Sequence, residues 1–131
     1  MAGQAAAGRE DLVAGWARIS ADGTLLTHSY YCLLSAQVDA CLGAHARAGA
    51  TLEQGLAMAG QREERAFEAE LRRLRAQLLA EAAGDAARTE LERAATLANH
   101  QGAVAFTRRI EETRASLGHV SGHPAACLQS A

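Results

Sequence analysis

A chain of 131 residues with a formal net charge of −2 fits one domain and is long enough to bury a core. Apolar residues make up 49% of it but aromatics only 4%, and the abundance of alanine favours closely packed helices over a sheet. All 13 basic residues are arginine, which excludes a phosphate-loop lysine and a Schiff-base lysine, and acidic and basic residues interleave.

Nucleic-acid binders carry a basic stripe, and this chain has none beyond Arg72, Arg73 and Arg75, so a nucleic-acid partner is not expected. No stretch approaches the roughly 20 apolar residues of a membrane span. Residues 1–8 lack the basic start and apolar run of a secretory signal. Cys32, Cys41 and Cys127 are odd in number and show no framework spacing, which reads as free thiols in a reducing compartment. The expectation is a cytoplasmic protein, and arginine-only usage beside abundant Ala and Gly points to a GC-rich bacterial genome.

In chain order, residues 1–8 are expected to fray. Leu12, Trp16 and Ile19 then mark one face of a short leading helix, stopped by Asp22-Gly23. A helix over 29–42 should bury Tyr31, Leu34, Val38 and Leu42, with Gly43 at its C-terminal cap and Ser29 as a helix cap. A second over 46–59 turns Ala48, Leu52, Leu56 and Ala59 inward. Its internal Gly49 and Gly55 each cost about 1 kcal/mol relative to Ala, so packing must hold it. A third over 64–83 carries Leu71, Leu74, Leu78 and Leu79 opposite a charged face. Gly84 ends it, and Asp85 can cap a fourth helix to about Asn99 that buries Leu91, Ala94, Ala95 and Ala98. A trailing helix over 104–117 places Phe106, Ile110, Thr113 and Leu117 on one face, and the segment 118–131, with the only proline, is expected to be a mobile tail.

The apolar spacing occurs twice. Tyr31, Leu34, Ala36 and Val38 reappear 40 residues later as Leu71, Leu74, Ala76 and Leu78. Ala48, Leu52, Ala59 and Phe67 reappear 39 later as Ala87, Leu91, Ala98 and Phe106, as if one residue were dropped from the intervening turn. A period of this length is the mark of stacked helix pairs, each needing its neighbour to cover its apolar face. The expected fold is an all-α stack of antiparallel helix pairs, five to six helices over residues 9–117.

The run Ala69-Glu70-Leu71-Arg72-Arg73-Leu74-Arg75, then Leu78-Leu79 and Leu91-Glu92-Arg93-Ala94 with Leu97-Ala98, resembles the C-terminal helical-repeat region of large bacterial regulators. Ser29-Tyr30-Tyr31 entering the first pair adds to that likeness. Such regulators join an ATPase, adenylate cyclase or DNA-binding part to tetratricopeptide-like repeats. Ala36 and Ala76 match the small position of the repeat. Of its large positions only Leu79 fits, with Cys32, Asp39 and Arg72 departing from it. The resemblance implies a tetratricopeptide-like fold, and it carries over none of the nucleotide-binding or cyclase chemistry, whose segments this sequence lacks.

Several groupings invite a chemical reading. His119, His123 and Cys127 have metal-like spacing, but Gly118, Gly122 and Pro124 break the helix that would align them, so a solvated tail is preferred. Cys32 and Cys41 lie about 13 Å apart along one helix and cannot pair. Asp22, His28 and Ser29 are neighbours in sequence, which does not make a nucleophile relay. Glu63, Glu64, Glu68, Glu70, Glu111 and Glu112 could be read as a carboxylate cluster. Arg62, Arg65, Arg72 and Arg73 intermix with the first four, as on a solvated ion-paired face. Trp16, Tyr30 and Phe67 read as core anchors, with a groove-lining role for Tyr30 as the alternative.

With no phosphate loop, paired Cys-x-x-Cys or His-Glu-x-x-His, the chain reads as a non-catalytic protein-interaction or regulatory module that needs no cofactor or metal. First helices of successive pairs would line a concave face presenting Tyr30, Gln37, Arg72, Arg73 and Arg75 to a peptide or helix of another protein. Uncovered apolar ends imply self-association through the Trp16 helix or the trailing helix. The rival readings are a small-molecule-sensing helical domain and a small enzyme.

Overall fold

The computed structural model describes residues 2–21, 28–62 and 65–119. Within them lie six α-helices: α1 Ala2–Ala21, α2 His28–Cys41, α3 His45–Arg62, α4 Glu68–Leu79, α5 Gly84–His100 and α6 Val104–His119. One turn of 3-10 helix, Arg65–Phe67, leads into α4, and the described residues contain no strand. The chain divides into two compact units, Met1–Glu64 and Arg65–Ala131. No described helix is long and apolar enough to cross a membrane.

In the first unit α1 begins at Ala2 rather than near Arg9, because Ala5, Ala6 and Ala7 are strong helix formers. Its half-buried stripe is Ala5, Arg9, Leu12, Trp16 and Ser20, at helical spacing, and it packs on α2. Ile19, expected on that face, is 45% exposed. Ser20 takes its place and donates its hydroxyl to the Trp16 carbonyl at 2.7 Å.

Packing on α2 comes from two helices, α1 and α3, and this moves its buried positions. Ser29, Cys32, Leu33, Ser35, Ala36 and Asp39 are buried, whereas Tyr31, Leu34, Val38 and Leu42, the expected stripe, are only half-buried. Four of the six, Ser29, Cys32, Ser35 and Ala36, are small side chains, which let neighbouring backbones approach. Ser29 is the second residue of α2 and buried, so it is part of the packing and not a cap. The chain turns at Gly43 with φ 74°, and the Ala44 N–H donates to the Asp39 carbonyl at 2.8 Å, the six-residue closure of a Schellman motif.

The second unit repeats the hairpin. Ala36, Ala48, Leu52, Gly55 and Ala59 are buried in α2–α3, and Ala76, Ala87, Leu91, Ala94 and Ala98 are buried in α4–α5 at offsets of 40 and then 39. The offset changes in the turn. Here the Ala83 N–H donates to the Leu79 carbonyl at 2.8 Å, a closure one residue shorter than that of Ala44 on Asp39. Asp85 lies inside α5, and Ala83 stands at the N-cap with no side-chain bond, so Asp85 acts through the helix dipole.

Helix α6 packs against both α5 and α4. Its Phe106, Ile110, Thr113 and Leu117 stand 39 residues after Phe67, Leu71, Leu74 and Leu78, which makes it a third copy of the first hairpin helix. Phe67 and Phe106 meet with ring centroids 6.4 Å apart. The turn into α6 repeats the first one: Gly102 has φ 66°, and the Ala103 N–H donates to the Ala98 carbonyl at 2.9 Å. Ile110 joins Ala69, Ala76, Ala87, Leu91, Ala94 and Ala98 in one core.

Candidate interaction site

Helix α4 and the turn before it carry Arg65, Glu68, Arg72 and Arg75 at spacings of three, four and three, which places them along one face. Glu68 Oε1 accepts from Arg72 Nε at 3.1 Å and Nη2 at 2.8 Å, a forked pair. The stripe extends to α5 through Glu90. Its Oε2 takes Arg72 Nη1 at 3.2 Å and lies 3.8 Å from Arg75 Nη1, and its Oε1 takes Arg93 Nη1 at 3.1 Å. Burial alone would make the Arg72 guanidinium easier to deprotonate; hydrogen bonding to Glu68 and the charges of Glu90 and Glu68 outweigh it and raise its pKa. The carboxylates lie underneath, with side chains 12% and 6% exposed. The cations lie outside, from 22% at Arg72 and 33% at Arg75 to 61% at Arg65 and Arg93.

A second network is inside the unit. Glu70, fully buried, receives Arg73 Nε on Oε1 and Arg73 Nη2 on Oε2, both at 3.1 Å, and Arg109 Nη1 of α6 on Oε2 at 3.3 Å. Arg73 also donates to Gln77 at 3.3 Å and to the Thr113 hydroxyl at 3.2 Å, and the Thr113 hydroxyl in turn donates to the Arg109 carbonyl at 2.8 Å. Desolvating two charges costs several kcal/mol each, and only such complete satisfaction offsets it. Glu68, Glu70 and Arg73 are therefore buried, not part of the solvated face expected of them. The i, i+3 pairing of Glu70 with Arg73 neutralises both in place, and α6 covers them.

In the first unit the corresponding tie is Asp39, 1% exposed. Its Oδ1 accepts Arg9 Nε of α1 at 2.8 Å and Arg47 Nη2 of α3 at 2.7 Å, so one carboxylate joins three helices. Burial pushes its pKa up, but hydrogen bonds and charge from Arg47 and Arg9 outweigh that and hold it below the ordinary value. Trp16 stacks on Tyr31 with centroids 4.5 Å apart and meets His28 edge-on at 4.8 Å. Cys32 is a free buried thiol pushed up to about 11 by desolvation, which makes it inert; Cys41 is half-buried and, against expectation, not a free thiol.

The expected partner-facing residues are distributed unevenly. Tyr30 is 41% exposed, and half-buried Gln37 stands two turns further along α2, on the same side. Arg72 and Arg75 converge on Glu90, while Arg73 faces the interior with 5% exposure. Trp16 and Phe67 are half-buried. Asp22, His123 and Cys127 lie outside the described residues, as does the side chain of His119. Among the described residues no group of three His, Cys, Asp or Glu could hold a metal ion.

Sequence reasoning missed Glu90, Arg93 and Arg109 as site residues, while Thr113 is buried on the face of α6 where it was expected. One signal was present: Arg73 falls 40 residues after Leu33, at a register position that α2 buries. No protein-family model, curated protein or solved structure matches this chain.

Proposed function

We propose that the chain is a non-catalytic protein-interaction or regulatory module of bacterial type, built of tetratricopeptide-like helix pairs. The observation that carries this reading is the recurrence of one buried register in two successive hairpins, Ala48, Leu52, Gly55 and Ala59 against Ala87, Leu91, Ala94 and Ala98. Helix pairs repeated in this way form extended surfaces that bind other proteins. The ionisable groups of the second unit support the reading too. Glu68, Glu70 and Glu90 are each tied to arginine, an arrangement suited to holding a surface rigid.

Partner contact falls to Tyr30 and Gln37 on α2 and to Arg72 and Arg75 on α4, with Arg73 positioning the last helix from inside. Self-association through α1 belongs to the same proposal, since Val13 and Ile19 are 43% and 45% exposed there. Helix α6 is the other candidate, with Val104 80% exposed at its start beside the charged pair Arg108 and Glu112. Selection of displayed peptides against the intact chain, followed by titration of the selected peptides, tests the function. Saturable binding that weakens on Tyr30→Ala is expected, and failure to select any peptide overturns it. Light scattering after size exclusion tests self-association, which a monomer at all concentrations overturns.

A further inference from the structure

We infer that the arginine layer over the α4–α5 seam docks an acidic segment of a partner protein. This rests on the interaction-module reading and adds the chemistry of the partner. Four guanidinium groups, of Arg65, Arg72, Arg75 and Arg93, surround two carboxylates, of Glu68 and Glu90, leaving the patch net positive in a chain whose formal charge is −2. Depth separates the signs: the carboxylates are nearly covered and the cations face outward. The buried anions act as a template. They hold the guanidinium forks in place, so an arriving carboxylate meets donors whose side-chain entropy is already partly lost.

Arginine suits this task because each planar fork has five N–H groups. The bonds described use three of those on Arg72 and one on Arg93. The stripe from Arg65 to Arg75 spans about 15 Å along the helix. An extended peptide covers that with about five residues, two or three of them facing the same side. An acidic protein segment fits better than a nucleic acid. The patch is short and the chain's formal charge is −2, so a short acidic segment meets the arginines alone while a long phosphate backbone would also meet the rest of a net-acidic surface.

The test titrates the full chain into fluorescein-labelled hexaglutamate at low ionic strength, with hexalysine and a short oligothymidylate as comparison probes. Saturable binding of hexaglutamate is expected, lost on adding salt and absent for hexalysine. Arg75→Gln combined with Arg93→Gln should weaken it by about tenfold, as losing charge-assisted contacts does. Arg88→Gln combined with Arg108→Gln, at sites 74% and 75% exposed and off the stripe, should change nothing. Circular dichroism checks that both variants keep their helices, and the Arg93→Gln single variant, at an exposed side chain, must still weaken binding.

Equal loss from the two double variants, tighter binding of oligothymidylate, or no binding of hexaglutamate overturns the inference. If hexaglutamate fails while displayed non-acidic peptides bind, the acidic-partner assignment falls and the interaction module stands. If no peptide of any composition binds, both fall.

Discussion

Where α2 buries Leu33, α4 buries Arg73, and where α2 exposes Tyr30, α4 buries Glu70. The two helices hold equivalent places in hairpins whose second helices, α3 and α5, bury small apolar residues at matching positions. Register sets which residues stand at equivalent places, and it decides neither whether they are covered nor what they are made of. A charged pair can occupy an apolar position provided that every polar atom finds a partner, as Glu70 does with Arg73 and Arg109. Helix α6 extends the lesson. Arg108 and Glu112 stand where α4 has Ala69 and Arg73, and their side chains are 75% and 65% exposed and pair along the helix at 3.7 Å. The same register position is thus apolar in one copy, a buried ion pair in the next and solvated in the third.

The largest expected effects test the buried pair. Glu70→Ala leaves Arg73 charged and covered, and urea denaturation should show a loss of about 3–4 kcal/mol. Replacing both with leucine removes the uncompensated charge and should recover most of that loss. If the double variant is no better than the single one, the comparison between Leu33 and Arg73 is wrong. Next, Leu52→Ala and Leu91→Ala should each cost about 3 kcal/mol, because each side chain is buried at the same hairpin position. A cost under about 1 kcal/mol for either breaks the equivalence of the hairpins.

A pH titration sharpens the contrast between the two units. The pKa of Asp39 is lowered in the folded protein. Its contribution is therefore complete above the unfolded value of about 4 and is lost as pH falls through the lower folded one. Asp39→Asn should flatten that part of the stability profile between α1, α2 and α3, as followed by Trp16 fluorescence. An unchanged acid limb would remove Asp39 as the tie.

The smallest effects come from glycine. Gly43 and Gly102 have φ of 74° and 66° with open space around a hypothetical Cβ, so alanine at either should cost about 1 kcal/mol through backbone strain alone. Gly49, within α3 and equally unobstructed, should gain about 0.5–1 kcal/mol on the same change. Thermal melts check all three, and a gain at Gly43 would sink the shared turn geometry.

Much of the architecture was legible because it depends on local rules. Glycine after a periodic run stops α2, alanine favours helix throughout, and the 40-then-39 offset located the shortened turn, whereas Gly84, expected to end α4, opens α5 after α4 has closed at Leu79. The candidate site was legible only in part. Arg72 and Arg75 were identified from one basic run, but their partner Glu90 is 15 to 18 residues away on another helix, and no spacing rule within α4 points to it. The tie of Asp39 to Arg9 and Arg47 was equally invisible, since it joins three helices.

The number and order of the helices and the recurrence of their spacing followed from the sequence alone, because propensity and periodicity act over a few residues and need no neighbour. Which faces would be covered was decided by tertiary structure. With α1 and α3 both on α2, burial moved from Tyr31 and Leu34 to Cys32, Leu33 and Asp39. With α6 over α4, a charged stretch that periodicity assigns to solvent became the interior. The physical reason is that ionic groups can be desolvated only once their partners have been brought together, and those partners come from helices far apart in the chain.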